Sequence, residues 1–184
     1  MGYTNSDYAR DIDDRKSTSG YVFFLNRAVI CWSSRKQGIL TLSSTEAEYV
    51  VVTASACHGV WLKGILKELG VQSSECIDIM CDISSTIKLS KNPVMHQRTK
   101  HIDVSIDITC DSSSVIKLSK NPVMHQRTKH IDVRYHYLRN LLTNGTVRLV
   151  FCGTEDQVTD IMTKPIKLDQ FVKFRGMLGV RQLE

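Results

Sequence analysis

Residues 76–104 recur almost unchanged as residues 105–133, and this 29-residue tandem repeat constrains the possible folds of the 184-residue chain more than any other feature. The copies differ only at Cys76/Ser105, Met80/Thr109, Ile83/Ser112 and Thr86/Val115. Stacked-repeat folds need about three or more units to bury a continuous core. Each copy here reads as a strand, a short helix and a basic loop, with no self-complementary face. The repeat is therefore expected to be a duplication within a single domain, 1–184, with one copy in the native position and the other an insertion. A buried central strand favours a continuous apolar run, which slightly prefers Ile77 to Cys81 over Ile106 to Cys110. The second copy runs without a break into the helix that follows it, which argues the other way.

The length suits one domain with a sizeable core. A formal net charge of +5 and a pI near 8.9 are compatible with a polyanionic partner but do not require one. Cys31, Cys57, Cys76, Cys81, Cys110 and Cys152 show no CxxC spacing, and no signal peptide or membrane-spanning apolar run is evident. Reduced thiols in an intracellular compartment, cytoplasmic or nuclear, are expected, with no membrane partner. The only regular histidine spacing, His96 to His101 and its copy His125 to His130, is a poor match to structural zinc sites.

Element signals run in a definite order. A first strand is expected near Gly2 to Tyr8, then a polar stretch from Asp11 to Ser19, then a hairpin of Tyr21 to Leu25 and Ala28 to Ser33. Asn26 and Arg27 would form its turn, because Asn tolerates positive φ. Ser43 can cap a long helix, with Glu46 closing a capping box. Ala47, Val51, Ala54, Cys57, Trp61, Ile65 and Leu69 recur along it at helical spacing, and Gly70 ends it. After the repeat, Ile131, Tyr135, Leu138 and Leu142 make a second helical stripe, and Val147 to Cys152 reads as a strand. Thr154 and Gln157 can cap a helix running to Thr163, stopped by Pro165, and Leu168 to Leu178 suggests a last helix. A hairpin followed by strands alternating with helices gives an α/β fold with a mixed sheet.

Four short acid-bearing segments run along this framework: YTNSDYARD (Tyr3 to Asp11), SSTEAEY (Ser43 to Tyr49), CDISS (Cys81 to Ser85, repeated at Cys110 to Ser114) and DQVTDIMTKP (Asp156 to Pro165). Two-metal nucleases place two Mg²⁺ ions roughly 4 Å apart on a scissile phosphodiester, and such hard cations need carboxylate oxygens. Within the second segment Glu46 is taken by the cap, leaving Glu48 as the ligand candidate or as a charge favoured by the helix dipole. Asp82, or Asp111 in the second copy, sits at the carboxyl end of a strand, where ligands gather in open sheets; a turn or cap residue has the same address. Asp160 lies within its expected helix beside Val158, Ile161 and Met162, and the solvated face of an amphipathic helix is its alternative reading.

The content and order of these strings resemble the ribonuclease H domain of copia-type long-terminal-repeat retrotransposon polyproteins. The matching residues are DDRKSTSGYVFFL (Asp13 to Leu25), WSSRKQ (Trp32 to Gln37), TLSSTEAEYV (Thr41 to Val50), IKLSKNPVMHQRTKHIDVRYHYLR (Ile116 to Arg139) and EDQVTDIMTKPI (Glu155 to Ile166). The resemblance implies a ribonuclease H-like, five-stranded mixed sheet flanked by helices. It also implies two Mg²⁺ ions as cofactor, an RNA/DNA hybrid as partner, and cleavage of the hybrid's RNA strand. Glu48, Asp82 or Asp111, and Asp160 match three of the family's four metal-binding acids. At the fourth, where the family reads GYTDSDYAG, this chain has Asn5 for the first Asp and Arg10 for the Gly. Asn5 keeps one carbonyl oxygen but loses the charge expected to bridge both metals. Asp7 is on the same strand face but about 7 Å along it. Arg10 would bring a cation towards the site.

Each copy carries four basic side chains: Lys88, Lys91, Arg98 and Lys100, then Lys117, Lys120, Arg127 and Lys129. Arg134, Tyr135, His136 and Arg139 continue them. Phosphate contact is the functional reading and a solvated loop the structural one. Ser84 and Ser85, or Ser113 and Ser114, can meet backbone or a 2′-hydroxyl, or cap a helix. The chain starts at its first strand, so it reads as a polyprotein fragment whose further partner is the reverse transcriptase domain of the same ancestor. The expected function is a ribonuclease H impaired by Asn5; the alternatives are a non-catalytic nucleic-acid-binding remnant or a non-functional pseudogene product.

Overall fold

The computed structural model describes residues 1–72, 74–82, 134 and 136–180. Five strands form one mixed sheet in the order β3-β2-β1-β4-β5, built from β1 (Gly2–Asp7), β2 (Thr18–Leu25), β3 (Ala28–Lys36), β4 (Ile77–Cys81) and β5 (Val147–Phe151). β1 to β3 pair antiparallel, and β4 pairs parallel with both β1 and β5. This is the five-stranded mixed sheet that the resemblance implied. The strand between β1 and β5 is Ile77–Cys81, from the first copy of the repeat. The second copy, 105–133, lies outside the described residues.

The hairpin forms as expected, with Asn26 at φ 55° in its turn. Its strands are longer than the expected Tyr21 to Leu25 and Ala28 to Ser33, because pairing continues to Thr18 opposite Lys36. β2 alternates its side chains between two apolar layers, the period-two pattern of a strand covered on both faces. Tyr21 and Phe23 join Tyr49, Val52, Ala56, Ile79, Leu138 and Leu149 in one layer. Val22 and Phe24 meet Val158 and Phe174 in the other.

Helix α1 (Ser44–Glu68) has Ser43 as its N-cap, accepting from the Glu46 N–H. The Glu46 carboxylate reaches back to the Leu42 N–H at 2.6 Å, one residue beyond a capping box. The expected core stripe fails in the second half of the helix. Cys57, Trp61, Ile65 and Leu69 are exposed, whereas Tyr49, Val52, Ala56 and Gly59 face the sheet. The first turns are buried on every side, from Ala47 to Thr53, so no single stripe marks the inward face there. α1 is long and apolar enough by composition to cross a membrane, but its buried residues supply the core of this sheet.

Residues 136–143 form α2, which places Leu138 and Leu141 in the layer shared with α1. The helix expected from Thr154 to Thr163 is broken. A 3₁₀ turn (Thr154–Asp156) is followed by a short helix, α3 (Asp160–Thr163). Gln157 does not cap: its side chain is buried and donates to the Thr4 carbonyl at 3.1 Å. α4 (Leu168–Met177) inserts Phe174 into the second layer.

Candidate active site

Three separate elements are drawn together over the middle of β1. Asn5 is paired with Gly20 across the β1–β2 ladder. A side chain at Gly20 would put its Cβ 2.7 Å from Thr163 Cγ2 and 3.2 Å from Met162 Cβ. The missing side chain lets α3 rest directly on the sheet at this point. Asn5 is 2% exposed there, and its Nδ2 donates to Asp160 Oδ1 at 2.6 Å and to Thr163 Oγ1 at 2.8 Å. The amide orientation follows from the partner, since an ionised carboxylate only accepts.

Glu48 enters from the second turn of α1. It is buried, and its Oε1 accepts the Ser6 backbone N–H at 2.5 Å. Gln37, at the end of β3, holds this corner closed, donating from Nε2 to Ser19 Oγ at 2.7 Å, the Ala47 carbonyl at 2.9 Å and Ser6 Oγ at 3.3 Å. Asp82 stands just past β4. Glu48 Oε2 and Asp82 Oδ1 are buried acceptors without a hydrogen-bond partner among the described residues. Such orphaned oxygens are costly in a low-dielectric interior.

Asp160 is almost fully buried at the start of α3, so the solvated-face reading is corrected: the residue points inward. Its Oδ2 meets Lys164 Nζ at 3.0 Å, one helical turn along. The acids lie close enough for their charges to act on one another. Burial first, and then the charge of Asp82, push Glu48 well above the ordinary glutamate range, while the Ser6 N–H and Lys164 pull it back. Burial and the charge of Asp160 raise Asp82. Burial raises Asp160 too, against the lowering effects of Lys164 and Asn5.

Asn5, Glu48, Asp82 and Asp160 are thus brought to one place. Arg10 is not brought there; it is exposed and spends its charge on Asp7 at 3.1 Å. Asp111, Ser84, Ser113, Lys117, Lys120, Arg127 and Lys129 lie outside the described residues. Arg134 lines a cavity of about 360 Å³ with Arg35, Lys36, Gln37, Tyr21 and the α1 side chains Val50 and Ala54. Lys36 is already paired with Asp11 and Asp14. Sequence reading gave no role to Lys164, Gln37 or Thr163. Lys164 was findable, because it lies four residues beyond an acid in a helical segment.

The arrangement does not fit a pair of divalent cations. Both Asp160 oxygens already face donors, and Asn5 presents N–H where an anionic oxygen is required. Among the described residues, no three His, Cys, Asp or Glu side chains are grouped to hold a metal ion.

No protein-family model matches the chain. It is 34% identical over 179 residues to the retrovirus-related Pol polyprotein from transposon TNT 1-94 of Nicotiana tabacum, covering 97% of this chain and 11% of that protein. It is 36% identical over 178 residues to the corresponding polyprotein from transposon RE2 of Arabidopsis thaliana, covering 97% and 10%. The chain therefore spans about a tenth of the length of these relatives. Ribonuclease H1 from Halobacterium salinarum superposes on 88% of the chain and 92% of its own, at 11% identity and a TM-score of 0.46.

Proposed function

From the membership of this chain among the retrovirus-related Pol polyproteins of plant transposons, we propose that it is their ribonuclease H domain, keeping a nucleic-acid-binding surface around an impaired hydrolytic centre. The ancestral reaction in this reading is Mg²⁺-dependent hydrolysis of the RNA strand of an RNA/DNA hybrid, performed beside the reverse transcriptase domain of the same polyprotein. One observation carries the proposal. Glu48, Asp82 and Asp160 come from distant segments and act on one another's charge, with Glu48 held by the Ser6 N–H of β1 and Asp160 by the neighbouring Asn5.

A cluster of two buried acids, Glu48 and Asp160, with the half-buried Asp82 is expensive for a fold that uses it only as structure. Its presence is accounted for by descent from a metal-binding centre. Asn5 accounts for the impairment, since it donates to Asp160 instead of sharing a cation with it. The basic cavity lined by Arg35 and Arg134 borders the same corner through Gln37, and supports contact with a phosphate backbone. The three acids and the cavity fit work on hybrids better than a purely structural role.

The test is incubation of a labelled RNA/DNA hybrid with the chain and with Asn5→Asp, in Mg²⁺ or Mn²⁺. The expected result is salt-dependent binding by both and cleavage by the variant alone. Cleavage by the unaltered chain at an ordinary enzyme rate would overturn the impairment, and absence of binding at moderate salt would overturn the nucleic-acid reading.

A further inference from the structure

We propose that Lys164 is the resident counter-ion of this centre, holding Asp160 where a divalent cation would otherwise hold it, so that the fold closes without metal and metal has to compete with an ammonium. The inference rests on reading the acid cluster as a nuclease centre.

The geometry is a closed loop. Lys164 follows the last residue of α3, and its backbone N–H donates to the Asp160 carbonyl at 3.1 Å. The same residue's Nζ then folds back to Asp160 Oδ2 at 3.0 Å. Pro165 cannot continue the helix, so the side chain that ends α3 lies over the acid that begins it. Asp160 is 2% exposed at its side chain and Lys164 is 30% exposed. The anion is thus held in the interior, while its partner reaches it from the solvent side. With Oδ1 accepting from Asn5 and Oδ2 facing the ammonium, a cation that approaches Asp160 meets the positive charge of Lys164 and only the lone pairs the two donors leave over.

This arrangement differs from a passive loss of one ligand. Removing Lys164 leaves a buried carboxylate with one neutral donor, and a divalent ion is then the natural replacement. Free energy lost with the ammonium returns when the metal binds.

The test uses the free, full-length chain cleared of metal with chelator, as parent, Lys164→Met and Lys164→Arg, melted with and without MnCl₂. Parent and Lys164→Arg are expected to melt at temperatures that Mn²⁺ does not move. Lys164→Met is expected to melt lower without metal and recover with Mn²⁺, binding it about tenfold or more tighter than the parent, the scale at which groups supporting a metal site act. Equal stabilisation of parent and Lys164→Met by Mn²⁺, or indifference of Lys164→Met, would overturn the proposal. If Lys164→Met does not fold, the pair Asp160→Asn/Lys164→Met removes both charges. Folding of the pair supports the counter-ion role, and its failure to fold overturns it. Hybrid binding plays no part in these melts, so the proposed function can fail without altering them.

Discussion

Asn5 Nδ2 donates to Asp160 Oδ1 at 2.6 Å across a sequence separation of 155 residues, fastening the first strand to the short helix near the other end of the chain. Replacing Asn5 by Asp turns this donor into a second anion and reverses the bond to Thr163, whose hydroxyl must then donate. Without metal, Asn5→Asp is expected to lower stability by about 2–4 kcal/mol, the cost of an uncompensated buried charge beside a like one. Urea denaturation in the presence of chelator measures the loss, and addition of Mn²⁺ narrows it. An unchanged denaturation midpoint would show that Asn5 does not carry this junction.

The pH dependence follows from Glu48. Burial and Asp82 raise its folded value above the unfolded one, so the folded state holds the proton more tightly. The associated stability is complete below the ordinary glutamate value of about 4.3, and is lost as pH rises through the raised folded value. Glu48→Gln keeps an oxygen for the Ser6 N–H and cannot ionise. Its melting temperature is expected to fall less than the parent's as pH rises from about 5 to about 8, what remains of the fall coming from Asp82 and Asp160, whose folded values are also raised. At pH 8 the variant should melt a few degrees higher, since about 1 kcal/mol moves a chain of this size by ~2–4 °C. Parallel curves for the two proteins would sink the assignment.

Much of this was legible before any coordinates, and the exceptions have physical causes. Ser43, Asn26 and Gly70 mark element ends because their local chemistry is strong, and each does what it announces. The face of α1 was misread because Val50, Val51 and Val52 are all buried, which erases the contrast that periodicity relies on. The break before Asp160 was missed because Gln157 has the makings of a cap, yet the Thr4 carbonyl on a distant strand claims its amide. A long-range hydrogen bond of this kind leaves no trace in sequence spacing. The acids themselves were readable from their order, and Lys164 from its spacing; the Ser6 N–H that meets Glu48 and the Gln37 amide that closes the same corner became visible only when the strands and helices were assembled.

The approach of α3 to the sheet is a packing prediction of its own. Gly20→Ala would place Cβ 2.7 Å from Thr163 Cγ2, inside contact distance, with Met162 Cβ at 3.2 Å beside it. α3 must then lift, loosening the Asn5 bonds to Thr163 and Asp160. Overpacking of this kind costs about 1–3 kcal/mol. Faster amide exchange at the Lys164 N–H, which closes α3 on the Asp160 carbonyl, is the local readout. Protection there equal to that of the parent would mean that α3 does not depend on this glycine.

The binding surface yields the last prediction. Arg35 and Arg134 line the cavity beside Gln37, and Lys36, which neighbours them, is already neutralised by Asp11 and Asp14. Arg35 and Arg134 are therefore the two guanidinium groups there available to phosphate, and each phosphate contact releases condensed counter-ions from the nucleic acid. Arg35→Gln and Arg134→Gln are each expected to weaken hybrid binding similarly across sequences and to reduce the slope of log affinity against log salt by about one. Lys36→Gln is expected to change that slope less, because its charge is already spent within the protein. Fluorescence anisotropy with a labelled hybrid across a salt series separates the three. If Lys36→Gln shifts the slope as much as either arginine variant, the surface is acting through its overall charge and the cavity has no special part in recognition.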